Sequence, residues 1–496
     1  MKERRALVVG AGAGGITLAL LLGRAGRKVT LVEAQPEVGG YLRRFSRNGM
    51  RFDTGYHFSG GFSNIMAQIM RVLGIDDMIS AEPISNRIVL AQSGDELTVA
   101  ANSGHLGAEE AFCRKFPGDA DALHQLMRSV RDIWRDTPMR DLTDLTPPEM
   151  SLSRFDTITV RDFTDSLGLG SAAATAVGSL AMCHGSLPSE ASMTFHARVA
   201  FSLYDDLARP VGGGDPMIAA FKREAAKLGI EIQTCTTLQR FDEPDVNGEC
   251  RHARLSDGSV LEADEVFFAI HPLAFKEILP EKALTPPMLR RFRRMRETTG
   301  FFCSYFTADD PAALPGSGLV SFFSHNDLDA ILQGGSDAYS TGYLLGREPD
   351  ADGIIRHTVA AFRTMPPGYP PNAPGTRAER RRDAKYQELK ARFTEEAARD
   401  LESLYPGLKG HLRAVVSGTP VTCRDYDPPT GSAYGVRNMC GQSRICGKLP
   451  VNNFFVAGQS ALVPGVLGTM LTSFTVFRLA VGEDDYRRVI RGSGLV

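Results

Sequence analysis

An α/β fold headed by a parallel βαβ unit and completed by a mixed α+β part is what this sequence predicts. Three observations predict it. RALVV (Arg5–Val9) and KVTLVE (Lys28–Glu33) are short, nearly continuous apolar runs, the pattern of parallel strands buried on both faces. Between them GAGAGG opens an apolar helix that runs through about Leu22. Far along the chain, Glu265–Ile270 and Phe454–Ala457 give two more short buried strands.

The glycine turn carries the first chemistry. Gly10 allows the tight turn, Gly12 lets the backbone approach a pyrophosphate, and Gly15 lets the helix pack closely on the strand. Gly14 lies in the same turn and is counted with them as a cofactor residue. A diphosphate would then rest on free N–H groups at the helix N-terminus. Glu33 ends the second strand, placed to accept hydrogen bonds from ribose hydroxyls. A lone GxGxxG could be a packing turn that binds nothing. Here strand, turn, helix, strand and terminal acid fall in order, which marks a Rossmann-type dinucleotide site.

Composition narrows the class. At 496 residues the chain needs two or three structural units. A net charge of −2 gives no basic footprint, so no nucleic-acid partner is expected. The eight cysteines are scattered, form no CxxC and have no zinc spacing, which leaves reduced thiols, no metal and a reducing compartment, the cytoplasm. MKERR before an apolar run imitates a signal peptide, but glycines cut the run and it leads straight into a second strand. No apolar run approaches the roughly eighteen residues of a membrane span. The expectation is a soluble or peripheral protein, and the sequence sets no oligomeric state.

Along the chain, Gly39 and Gly40 read as a second backbone approach to a ligand, with Arg43 and Arg44 available for phosphate. An ordinary surface turn is the alternative. His57, in MRFDTGYHF, is a candidate site residue against a structural role. Leu106–Arg135 is helical and broken at Pro117, and Asp141–Leu207 continues with helical stretches interrupted at sites such as DLTDLTPPEM. Trp134, His184 and His196 read as core or supporting residues. Gly212–Gly214 lack a GxGxxG, so they serve the first cofactor or close a domain crossing. A helix from about Met217 to Leu228 follows, then a hairpin turning at Asp257-Gly258. Phe301, Phe302, Tyr305, Phe306, Phe322 and Phe323 could line an apolar substrate cavity or fill a sheet core. A charged helix from about Thr376 to Tyr405 reads as a solvated face. Finally, Gly458 ends a strand and Pro464-Gly465 opens an apolar helix to about Val481, a second backbone cradle at the opposite end of the chain. Such a helix end favours negative charge nearby.

With both ends in view, the chain resembles the flavin-dependent amine oxidase and phytoene desaturase superfamily, most of all the branch of carotenoid isomerases and retinol saturases. GAGAGG with Glu33, the Gly39-Gly40 pair, FDTGYHF, FPGDADAL, VGGGDPM, ADEVFFAIHP and the terminal VAGQ...GVLG carry the resemblance in order. It implies FAD as cofactor. Gly10, Gly12, Gly15 and Glu33 would hold its adenosine half, and Gly39, Gly40 and nearby arginines its diphosphate. Gly458, Gln459, Gly465 and Val466 would meet the ribityl chain and flavin. Tyr41 departs from the arginine many relatives carry, and Gln459 from their acid, although the retinol saturase pattern also has glutamine. The FAD domain would be assembled from 1–95, 205–275 and 425–496, with 96–204 and 276–424 forming the substrate domain. The implied activity is hydride exchange between flavin N5 and an apolar isoprenoid polyene, by saturation, desaturation or isomerisation, with a membrane surface as a candidate partner. The rivals are an amine or porphyrinogen oxidase on the same fold and a non-catalytic FAD- or lipid-binding protein.

Overall fold

A computed structural model describes residues 4–146, 153–309, 314, 316–334, 337–426, 429, 431–442 and 444–496. The end of the DLTDLTPPEM break, from Pro147, and Asp310 at the end of FFCSYFTADD lie outside them.

Two sheets organise the chain. The first takes β1 (Arg5–Val9), β2 (Lys28–Val32), β3 (Glu231–Gln233), β4 (Glu265–Phe268), β5 (Gly447–Lys448) and β6 (Phe454–Val456), in the order β5-β6-β4-β1-β2-β3. All neighbours are parallel except the short antiparallel β5 at one edge. Every residue of β4 and β6, and all but the first of β1, is buried, as their unbroken apolar runs require. Val8 lies in register between Leu31 and Phe267, so β1 is the centre from which neighbouring strands are laid down in opposite directions. Loops leaving the carboxyl ends of β1 and β4 therefore part there, leaving a crevice.

α1 (Ala13–Arg24) is buried from Gly14 through Leu22, as befits a helix apolar on all sides. It is held between the sheet and α2 (Gly465–Val481), itself almost entirely apolar. α2 begins as expected, directly after Pro464.

The second sheet has seven strands, running Leu412–Gly418, Gly300–Ala308, Ile355–Met365, Ser340–Pro349, Gly318–Phe323, Asn86–Leu90 and Asp95–Val99 in spatial order. Only the Gly318–Phe323 and Asn86–Leu90 pair is parallel. Asn86–Leu90 and Asp95–Val99 form a hairpin of the second sheet, so residue 95 lies within one sheet. Helices Gly104–Lys115, Ala120–Arg135 and Met193–Asp205 pack over that hairpin, the first two separated at Pro117 as expected. The charged helix is two helices, Arg377–Arg382 and Ala384–Leu404. Asp383 parts them, its side chain capping the second by accepting from the Tyr386 N–H at 2.7 Å. The second buries Phe393, Ala397 and Leu401, so its charges form a solvated outer face as read.

A buried ion-pair network joins the two parts of the molecule. Arg44 meets Asp53 and Glu348 at 2.8 Å each, and Arg209 meets the same two acids at 3.5 and 2.6 Å. The four side chains are each 10 % exposed or less. They come from the hairpin Arg44–Asp53, the short strand Ala208–Pro210 and the second sheet. Gly213 and Gly214 pack directly on Asp53 and on the Leu42 carbonyl, so the VGGG stretch closes this crossing and does not reach the crevice.

Removing one partner of such a network leaves a buried charge uncompensated and costs about 3–5 kcal/mol. Arg44→Ala is expected to lower the thermal unfolding midpoint, followed by circular dichroism, while the far-ultraviolet spectrum of the folded protein stays unchanged.

Candidate functional site

The crevice beyond β1, β4 and β6 opens into one continuous cavity of about 1420 Å³. That exceeds the roughly 300–1,000 Å³ of a single small-molecule site, leaving room for a dinucleotide and a second ligand.

At its first end, Gly10 turns the chain with φ +94°, and a Cβ there would lie 2.5 Å from Ile270 Cγ2. A Cβ on Gly15 would fall on the Gly10 carbonyl, so Gly15 sets the close packing of α1 on β1 and does not line the cavity. Gly12 differs, since its Cβ direction points into open cavity. This is the bare backbone a pyrophosphate needs beside a helix N-terminus. Glu33 borders the same space. Its two oxygens accept from the N–H groups of Ala11 at 2.7 Å and Gln35 at 2.8 Å, which fixes the carboxylate.

Gly40 and Arg43 border the cavity, with Arg43 Nε donating to the Gly40 carbonyl at 3.2 Å. Gly39 does not, because it is packed against Ile218 and donates its N–H to the Ala11 carbonyl at 2.7 Å. Arg44 is the correction here. Its guanidinium is committed to Asp53 and Glu348 and is turned away from the phosphate position the sequence suggested.

The C-terminal segment closes the opposite wall. Gly458, Gln459, Gly465 and Val466 all line the cavity. A Cβ on Gly14 would lie 2.9 Å from Thr469 Cγ2 and 3.1 Å from Gly458 Cα, and Ser473 Oγ donates to the Gly14 carbonyl at 3.0 Å. The starts of α1 and α2 are thus locked together, and the unpaired N–H groups at both helix starts serve one space.

His57 lies in the wall, stacked on Phe362 with ring centroids 4.9 Å apart and planes 11° apart. Burial first, and the Arg209 cation second, push its pKa down to about 4, so the ring is neutral at pH 7. Phe301 and Tyr434 complete this aromatic side. Of the six aromatics put forward from the sequence, only Phe301 reaches the cavity. Phe302 packs on Phe393, Tyr305 donates its hydroxyl to the Asp53 carbonyl at 3.1 Å, and Phe306, Phe322 and Phe323 fill sheet cores. Two wall thiols are neutral, since burial pushes Cys446 up to about 11 and Cys183 up to about 12. His184 and His196, by contrast, are bonded to each other at 3.0 Å, outside the cavity wall.

Beyond the cradle the cavity follows α2 as far as Leu479, roughly 20 Å at 1.5 Å per residue. Trp134, Thr137, Met139, Phe155 and Arg198 wall this distal part. Trp134, read as core, stacks on Phe201 and lines the cavity as well. Arg198 was missed. The signal for it is an arginine inside MTFHARVAFSLYD, where nearly every neighbour is buried.

Comparison with known proteins gives this geometry its context. A family model described as flavin containing amine oxidoreductase matches residues 13–468. An all-trans-retinol 13,14-reductase of Danio rerio is 22 % identical over 95 % of this chain and 84 % of its own length. A phytoene desaturase of Cercospora nicotianae is 25 % identical over 57 % of this chain and 47 % of its own. Among solved structures, an oxidoreductase from Methanosarcina mazei covers 96 % of this chain and 100 % of its own at TM-score 0.64 and 15 % identity, a likeness of fold.

The neutral His57 has a consequence for stability. Its pKa is about 4 folded against 6.5 unfolded, so below pH 6.5 the unfolded chain takes a proton the folded state refuses. Its contribution is complete above pH 6.5 and is lost as pH falls toward 4, at up to about 1.4 kcal/mol per pH unit. Denaturant titrations at pH 7 and pH 5 are expected to show a smaller acid-induced loss for His57→Gln than for the parent.

Proposed function

We propose that this chain, which belongs to the family of flavin-containing amine oxidoreductases and is an FAD-dependent oxidoreductase, acts on a long apolar isoprenoid polyene. The single observation that carries the substrate class is the distal cavity, an apolar channel leading away from the dinucleotide cradle along α2. The retinol reductase and phytoene desaturase relatives support the same class.

In this reading Gly10, Gly12, Gly14 and Glu33 hold the adenosine side of FAD, Gly40 and Arg43 its diphosphate, and Gly458, Gln459, Gly465 and Val466 the ribityl and flavin side. Gly15 and Gly39 act one step back, by packing. Bound FAD supplies hydride exchange between flavin N5 and a substrate carbon. The chain supplies orientation and a dry slot. His57, Cys183 and Cys446 stay neutral, and the Phe301, Phe362 and Tyr434 rings exclude water beside the reacting carbons. The N-terminus of α2 favours negative charge, and Gln459 adds none of its own where relatives place an acid. Together these favour the reduced cofactor by about 1 kcal/mol. The direction we propose is therefore reduction or isomerisation of the polyene in preference to desaturation.

The chain also works at a membrane surface in this reading. No helix of the described residues is long and apolar enough to cross a membrane. Leu462 and Leu479, however, border the cavity and are 37 % and 58 % exposed. An apolar rim at the cavity wall suits a substrate drawn from lipid.

The deciding assay is anaerobic. Photoreduced enzyme is mixed with retinoids or carotenoids, and flavin reoxidation is followed alongside product chromatography. Reoxidation with a more saturated or isomerised polyene is expected. Inert reduced enzyme, with oxidised enzyme bleached by phytoene, would reverse the direction. In liposome flotation, partial and detergent-reversible association is expected, weakened by replacing Leu462 and Leu479 with Ser. Absence of binding would remove the membrane from this reading.

A further inference from the structure

The distal cavity wall holds an arginine that makes no ion pair with any described carboxylate, although Asp132, Asp136 and Asp156 line the same cavity. Three arginines line the cavity. Arg43 stands at the dinucleotide end, bonded to the Gly40 carbonyl. Arg478 is spent on Glu483, at 2.8 and 2.7 Å. Arg198 ion-pairs with no carboxylate among the described residues, and its one bond is Nε to Thr137 Oγ1 at 3.3 Å.

That bond fixes which way the guanidinium faces. The Thr137 hydroxyl donates to the Ile133 carbonyl at 2.8 Å, so its oxygen is left to accept from Arg198 Nε. With Nε held, the two terminal nitrogens are left for a ligand in the cavity Arg198 lines. Asp156, which acts on Arg198 through its charge, makes no ion pair with it and accepts from the Ser153 N–H at 2.8 Å. Burial lowers the basicity of Arg198, the mark of a charge not yet paired.

Its place in the channel is also set. Arg198 is one helical turn before Ser202, whose carbonyl abuts Gly60 beside the cradle. On its other side Thr137 leads to Met139, whose sulfur accepts from Arg478 near the end of α2 at 3.6 Å. Arg198 therefore stands between the cradle and the distal end, where the far terminus of a substrate would lie.

We propose that Arg198 binds a carboxylate at the end of the substrate, so that the natural substrate is an apolar acid and not a hydrocarbon or alcohol. This rests on the channel being the substrate site. A planar guanidinium with two free donors matches the two oxygens of a carboxylate. A diphosphate, with its greater charge, would call for further cations, and the other two arginines of the wall are occupied.

The test is a ligand titration of the FAD-loaded enzyme, read by perturbation of the flavin spectrum. Its probes are retinoic acid, retinol, palmitate and geranylgeranyl diphosphate. Retinoic acid is expected to bind about 10- to 100-fold more tightly than retinol, the range of one charge-assisted pair. Arg198→Gln is expected to erase that preference and leave retinol affinity within about twofold, and Arg198→Lys to restore part of it. Equal binding of acid and alcohol by the parent enzyme overturns the proposal without needing any variant. So does an Arg198→Gln loss shared equally by both, which marks a packing role, or a diphosphate that binds more tightly than the acid. The polyene reading fails separately. If palmitate binds through Arg198 while no polyene exchanges electrons with the flavin, Arg198 keeps its role and only the polyene class falls.

Discussion

The structure depends on one crossing where α1 has no room for a side chain. Gly14 at the start of α1 meets Gly458 and Thr469 so closely that a single Cβ would force them apart. The Ser473 hydroxyl bonded to the Gly14 carbonyl pins the contact. Residues more than 440 positions apart are thereby brought to one point, and two helix N-termini face one cavity. The neighbouring demand, Gly15 against the Gly10 carbonyl, fixes α1 on β1. Neither contact is strong by itself. Each works by excluding volume, so the tolerance for error is a few tenths of an ångström, well below the size of a methyl group.

Where the glycines let backbones approach, charge holds the two parts together. Arg44 and Arg209 against Asp53 and Glu348 form a balanced, two-against-two set with almost no exposure. Desolvating four charges offsets much of their attraction, so such a set specifies an arrangement more than it adds stability. The arrangement specified is the angle between the crevice and the second sheet, which supplies Phe301 and Phe362 to the cavity wall. Arg209 also lowers the pKa of His57, so the network keeps a ring of the cavity wall uncharged.

Sequence made the backbone part of this legible and the side-chain part much less so. Strand, glycine turn and terminal acid have fixed local spacing, and Gly10, Gly12, Glu33, Gly458 and Gly465 all border the cavity. Arg44 misled because an arginine beside a glycine pair looks the same whether it faces phosphate or two buried acids, one of them 304 positions away. The hairpin on either side of residue 95 pairs with a strand beginning at Gly318, a partner no local pattern announces. The aromatic run Phe301–Phe306 alternates across a sheet with both faces buried. Its cavity-facing member could not be told from its core members without the register. Arg198 was hidden in the same way. A single charge in an apolar helix is read as exposed until the helix is known to be walled in on every side.

The distribution of charge along the cavity follows one logic from end to end. At the dinucleotide end a fixed carboxylate, Glu33, and two helix starts meet a ligand that is itself polar and charged. In the middle stand groups that burial keeps uncharged. The imidazole of His57 is held neutral by burial, and the Cys183 and Cys446 thiols are held protonated by the same cause. A neutral middle suits hydride exchange with carbon, which needs exclusion of water and alignment of atoms more than an acid or base. Beyond it stands the Arg198 guanidinium, held by Thr137 and ion-paired with no described carboxylate. A ligand that satisfied both regions would be apolar along most of its length and anionic at its tip. Binding energy gathered at that tip would fix how far the chain slides into the channel, and hence which double bond stands beside the flavin. In such a channel the apolar walls give affinity, and the arginine sets the register.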